Sequence, residues 1–175
     1  MFGWGKNNDK AIVKRVCAKL RPLFVILEQW LNNFPLKLTD DPYVIGYVIG
    51  SATIFAQVET QGKASQALRG LVCLSALQST FAAHGFTRLE ASAVMLKYAG
   101  HAEVRSGARA ADLVIGVCLG LTDKDNEPEI IEAKQAVTEM PKGIREMLGD
   151  DPQGLLIHEL QEQLFFQPLV AKYGS

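Results

Sequence analysis

Residues 39–61 read TDDPYVIGYVIGSATIFAQVETQ, and this stretch decides the fold. Asp40 and Asp41 stand ahead of Pro42, a helix start in which a carboxylate accepts from the orphan amides of the first turn and proline supplies the φ of the first helical position. From Tyr43 to Val58 the 16 residues carry no charge, whereas a membrane-spanning helix needs about 20 apolar residues. The spacing predicts a buried helix from Pro42 to about Gln61. Inside it Gly46 and Gly50 lie four apart, and the same interval returns at Gly116 and Gly120. Glycines at that interval share a helix face and admit a second backbone. Each costs about 1 kcal/mol in a helix interior relative to alanine, so the four positions point to close helix packing or a subunit contact.

Toward the N-terminus, Ile12, Val13, Val16, Cys17, Leu20, Leu23, Phe24, Leu27, Trp30 and Leu31 recur with helical period. They predict a basic helix over about 9–33, either kinked at Pro22 or restarted there, and ending near Phe34-Pro35. Toward the C-terminus a helix follows from about Ala64 to His84, ended by Gly85. Thr87-Arg88-Leu89-Glu90 has capping-box spacing and opens another, which runs to about Gly100. A further helix, broken at Ser106-Gly107, carries Ala110 to Leu121. Glu129–Met140 is amphipathic and stops at Pro141, a helical turn follows at Ile144–Leu148, and Asp150-Asp151-Pro152 repeats the start signal of Asp40-Asp41-Pro42 ahead of a last helix toward Val170. No segment alternates with period two for long enough to demand a sheet, and no Asn-Gly or Asp-Gly turn separates two β-branched runs. The expected fold is all-α: one domain, residues 1–175, built as a bundle of about six to eight helices.

The chain has 175 residues, of which 48% are hydrophobic and 21% charged, a globular composition that excludes a disordered chain. The net charge of −1 hides an asymmetry. Residues 1–111 hold 13 Lys+Arg against 7 Asp+Glu, or +6, and residues 112–175 hold 5 against 12, or −7. The acidic C-terminal third, about 122–175, either packs on the basic part or faces a partner. Cys17, Cys73 and Cys118 are scattered in apolar runs, which predicts three buried thiols in a reducing, cytoplasmic compartment. The apolar run Leu23–Leu27 is too short for a signal-peptide core and is followed by Glu28.

Chemistry leaves few marks. His84, His101 and His158 are not paired at ligand spacing. His101-Ala102-Glu103 lacks the P-C-x-x-C partner of zinc deaminases, and His158-Glu159 does not continue to H-E-x-x-H. Asp123, Asp125, Glu127 and Glu129 alternate like an EF-hand loop, but Pro128 and Lys134 occupy the positions that need Gly and Glu. Phosphate-cradling loops and nucleophile elbows have no signature here. No metal, cofactor or catalytic residue is therefore expected. The polar cluster to inspect for a ligand is His84, His101, Glu103 and Arg105.

The reading this supports is a non-catalytic helical protein that works by protein–protein interaction or self-association, as a homodimer, with the glycine faces and exposed aromatics (Phe2, Trp4, Phe165, Phe166, Tyr173) as contact surface. A small-molecule binder or enzyme with a pocket between helices is the alternative. A second is nucleic-acid binding through residues 63–111, which carry six basic residues against two acidic ones in a helix-turn-helix-like outline. The helix from Arg88 is too apolar to read base edges, so nucleic acid ranks below a protein partner. So does a membrane surface, for which residues 1–21 offer a basic amphipathic helix.

Overall fold

The computed structural model describes residues 4–30, 36–120 and 126–174. The chain is all-α: every regular element among the described residues is helical. In order these are α1 (Trp4–Trp30), a 3-10 turn (Leu36–Asp40), α2 (Pro42–Glu59), α3 (Gln66–Thr80), a 3-10 turn (Ala82–His84), α4 (Arg88–Lys97), α5 (Ala102–Leu119), α6 (Pro128–Glu139) and α7 (Lys142–Leu148). A terminal run joins α8 (Pro152–Gln161), a π-helical segment (Glu162–Phe166) and α9 (Gln167–Tyr173). The described residues fall into two compact units, 1–109 and 110–175, divided within α5 close to where the charge changes sign.

In the first unit α1, α2 and α3 pack on one another. The stripe of α1 is buried at Ile12, Val16, Leu20, Phe24 and Leu27, a line of i, i+4 and i, i+3 steps that keeps to one side of the helix. Burying one such Leu or Phe contributes about 2 kcal/mol. Against it stand Val44, Ile45, Val48, Ala52 and Ala56 of α2 and Leu68, Val72, Ala76 and Leu77 of α3, all buried. Phe81 closes the end of α3, edge-on to Phe24 at 5.8 Å and to Phe86 at 5.3 Å between ring centroids.

α1 begins at Trp4, earlier than the expected start near residue 9, and passes through Pro22 without a second start. Pro22 is exposed, so the Ala18 carbonyl that loses its helical donor can turn to water. Residues 31–35, where the end of this helix was expected, lie outside the described residues, as do 121–125 of the acidic loop.

The starts were legible. Asp41 is buried, only 1% exposed, and its carboxylate accepts from the backbone N–H of Tyr43 at 2.8 Å and of Val44 at 3.1 Å. Thr87 and Glu90 form the reciprocal capping box. Asp151 repeats the Asp41 arrangement, accepting from Gly154 N–H at 2.7 Å. Gly85 takes φ 76°, which turns the chain out of the 3-10 segment.

Gly46 and Gly107 fix how α5 meets α2. A Cβ on Gly46 would stand 2.7 Å from the Cα of Val104, and one on Gly107 would stand 2.8 Å from the backbone nitrogen of Tyr47. Neither distance is open to a real methyl group, so each glycine is the footprint of the other helix's backbone. The break expected at Ser106-Gly107 does not occur: α5 continues through both residues, and Gly107 serves the crossing instead. Burial around this crossing pushes the Tyr43 hydroxyl up to about 12, with the Asp41 carboxylate adding to the effect, and raises Tyr47 further still.

In the second unit Leu113, Val114, Ile130, Ala133 and Leu160 form a buried cluster, with Val117, Leu156 and Leu164 packed against it. The terminal run carries Pro168 inside what would otherwise be one helix. Proline has no N–H for the carbonyl four residues back and its ring crowds that carbonyl. The run widens just upstream, where Gln167 N–H reaches back five residues to the Glu162 carbonyl. Phe165 and Phe166, in the widened segment, are both buried, with ring centroids 5.5 Å apart, and so is Leu169. Both phenylalanines were expected at the surface as contact aromatics; they are core residues instead.

Candidate functional site

α4 is anchored on one side and apolar on the other. Ala91 and Val94 face the core. Lys97 ion-pairs with Asp40, and the Tyr98 hydroxyl donates to the Asp40 carbonyl at 2.9 Å. Yet Leu89 is 80% exposed and Leu96 76%, with Ala93 exposed between them. At 3.6 residues per turn, positions 89, 93 and 96 share a face. That face lies opposite Ala91 and Val94. Glu90 and Lys97, seven residues apart, share one flank of it. The Thr87 N–H and hydroxyl both donate to Glu90 Oε2, at 2.7 Å each, which holds that carboxyl below the usual carboxylate range. Lys97 is raised by the Asp40 carboxylate, chiefly through its hydrogen bond.

A cleft of about 530 Å³ opens between the later half of α1 and the end of α3, with Arg21, Phe24, Val25, Ser79, Thr80 and His84 among its walls. An adjoining groove of about 370 Å³ runs along Ala18, Pro22, Val25, Ile26 and Gln29 on the outer side of α1, and Arg21 and Val25 border both. Above them on α1, Arg15 and Lys19 bind Glu59 of α2 at 2.6 and 2.8 Å, and these two cations hold the Glu59 carboxyl low, Lys19 more than Arg15. A third depression, at the α2–α3 turn, is lined by Asp9, Glu59, Gln61 and Lys63, with both charge signs present.

The four residues singled out as a ligand cluster are placed as follows. His84 is half-buried and lines the α1–α3 cleft. His101, Glu103 and Arg105 are exposed at the start of α5, where their contacts include local ones: the Glu103 N–H donates to His101 Nδ1 at 3.3 Å, and Arg105 Nη1 donates to the Gly100 carbonyl. The His101 ring also stands edge-on to Tyr98 at 5.6 Å. Arg21, the cation of the cleft that does hold His84, carries no sequence mark beyond being one basic residue among several on α1.

Of the four glycines, Gly46 meets a backbone, Gly50 is half-buried and Gly116 is buried. Gly120 is exposed and left-handed at φ 62°, with open space around it, so its glycine serves the end of α5. Gly107 was the position missed; its only signal was a glycine in a helix interior. Cys73 is buried, where burial raises its thiol and Thr53 lies 3.5 Å away. Cys17 is half-buried and raised by the same cause, while Cys118 is exposed, contrary to the expected burial.

Among the described residues no group of three or more His, Cys, Asp or Glu could hold a metal ion, and no helix is long and apolar enough to cross a membrane. No family model, curated protein or solved structure matches this chain.

Proposed function

We propose that this protein works by association rather than catalysis, and that the outer face of α4 is the contact surface by which two copies of the chain pair. The observation that carries the reading is the exposure of Leu89 and Leu96 on a helix otherwise fixed by a capping box and an ion pair. Two side chains of this size left in water on one helix face are an interaction surface when the helix is not free to bury them by turning. A second copy is the occupant the charges favour. Laid antiparallel with its centre between Ser92 and Ala93, the face is self-complementary: Leu89 meets Leu96, and Glu90 of each copy comes beside Lys97 of the other. The outward face of α4 also speaks against reading DNA, since the residues that would enter a groove are leucines.

A single helix face buries less than the standard interface of about 1,600 Å². The dimer is accordingly expected at micromolar rather than nanomolar concentration. The compartment is the cytoplasm, a reading supported by three cysteines that form no disulfide.

Disulfide capture tests the arrangement. With Cys17, Cys73 and Cys118 replaced by Ser, Ala93→Cys lies near the two-fold axis and should give a covalent dimer on mild oxidation. Gln29→Cys, on an exposed position of α1, should give no covalent dimer in the same conditions. Equal cross-linking of the two variants, or none of Ala93→Cys, contradicts the α4 pairing.

A further inference from the structure

We infer that the cleft between α1 and α3, together with the groove that continues from it along α1, is a binding site for a single-chain amphiphile with an anionic head. Three observations combine. Among the described residues the walls of the cleft include one guanidinium, one imidazole and two hydroxyls, and no carboxylate. Among the described residues the groove beyond them is apolar except at Arg21 and Gln29. The cleft and groove meet at Arg21 and Val25, an i, i+4 pair on one helix face, so the charged end and the apolar end are parts of one continuous surface.

The state of Arg21 sets it apart from its neighbours. Arg15 and Lys19, on the same helix, share an ion pair with Glu59. Arg21 makes no ion pair among the described residues, and its planar fork matches a carboxylate or phosphate through two parallel hydrogen bonds. Across the cleft from Arg21 stand the His84 imidazole and the Ser79 and Thr80 side chains. The carbonyl end of α3 works against an anion at this place, which makes Arg21 the group on which head binding depends.

The groove supplies the tail site. Ala18, Pro22, Val25 and Gln29 fall at i, i+4, i+7 and i+11, a straight line along α1. From Arg21 to Gln29 the helix rises about 12 Å, the reach of a medium-length alkyl chain. Val25 and Ile26 are 44% and 42% exposed there, apolar surface that a tail would cover. Pro22 keeps the line free of branched bulk at its middle. A head-only anion has no use for this groove and a neutral alkyl chain has no use for Arg21, so the surface selects molecules with both parts. Carboxylate and phosphate heads share this chemistry, and the molecule could reach the site free in solution or from a lipid bilayer.

Calorimetric titration with monomeric decanoate and decyl phosphate tests the site, with acetate as head without tail, decanol as tail without head, and decyltrimethylammonium as the wrong charge. Saturable one-to-one binding of decanoate or decyl phosphate is expected, and none of the three controls should match it. Arg21→Gln should weaken binding by at least about tenfold, and Val25→Ser should weaken it by a smaller factor. Both positions are exposed, and each variant should keep the helical circular dichroism spectrum of the native chain. Thermal denaturation gives a second readout, with decanoate raising the midpoint of the native chain but not that of Arg21→Gln. No saturable binding, equal binding by Arg21→Gln, or equal binding of decyltrimethylammonium overturns the assignment. So does retention on anionic phospholipid vesicles with no binding of the monomeric amphiphiles, because that result makes the surface a membrane contact and not a site for one molecule.

Discussion

α2 and α4 are both helices of the first unit, both begun by a side-chain cap and both rich in apolar residues, yet they meet water in opposite ways. α2 is buried at Val44 through Val48 and again at Ser51, Ala52 and Ala56, and at Gly46 it gives its surface to a neighbouring backbone. α4 buries Ala91 and Val94 and turns its two leucines outward. The difference teaches that an apolar helix is not by itself a core helix. α2 has core on several sides because glycine lets α5 approach it. α4 is held by its cap and by Lys97–Asp40 in an orientation that leaves Leu89 and Leu96 nothing of their own unit to cover them.

The largest break in this comparison is expected at the crossing. Gly46→Leu or Gly107→Leu puts a side chain where a backbone lies, and neither variant should give a cooperative urea transition like the native one. Gly46→Ala, the milder form, should cost about 1–3 kcal/mol, as overpacking does. A native-like midpoint for Gly46→Ala would show that α5 can move aside.

The caps sharpen the comparison next, because they separate a helix start set in the core from one at the surface. Asp41→Ala leaves two amide donors without their acceptor in a buried place and should lose about 2 kcal/mol. Thr87→Ala, at an exposed cap, should lose about 1 kcal/mol. Chemical denaturation that ranked Thr87→Ala as the costlier change would reverse the account of these two ends.

Glu59, at the last turn of α2, should matter less. Glu59→Gln removes the partner of Lys19 and Arg15 and should cost roughly 1 kcal/mol at neutral pH. Its folded pKa is lowered, so this stabilisation is present above the usual carboxylate range and is lost as pH falls through the lowered value. The gap between the native chain and Glu59→Gln should therefore close on acidification. A gap that persisted in acid would mean the carboxylate is not the source.

How far the sequence discloses all this differs by element. The starts at Asp41, Thr87 and Asp151 were legible because a cap is a local event: the acceptor and the amides it serves lie within three residues. The stripe of α1 was legible because burial follows helical period. The path of α5 through Gly107 was not, since a Ser-Gly pair between two arginines reads as a break until the opposing backbone of Tyr43 and Tyr47 is known. Phe165 and Phe166 misread for a related reason. Adjacent residues on an α-helix point about 100° apart, and both phenylalanines are buried in the π-helical segment before Pro168, which no local spacing marks. The candidate sites were the least legible. His84 was marked as a polar residue of interest, but the cleft it lines is made with Arg21, 63 positions away in sequence, and no spacing rule joins the two.

The smallest effect on stability, and the one that bears most on function, is expected at α4. Leu89→Lys/Leu96→Lys changes only exposed side chains, so its unfolding free energy in urea should stay within about 0.5 kcal/mol of the native chain. Sedimentation velocity on the native chain and this double variant, across a micromolar concentration series, is the direct test of the central claim. The native chain is expected to shift from monomer to dimer as concentration rises while the variant remains monomeric. A native chain that stays monomeric throughout, or a variant that dimerises as well as the native chain, contradicts it.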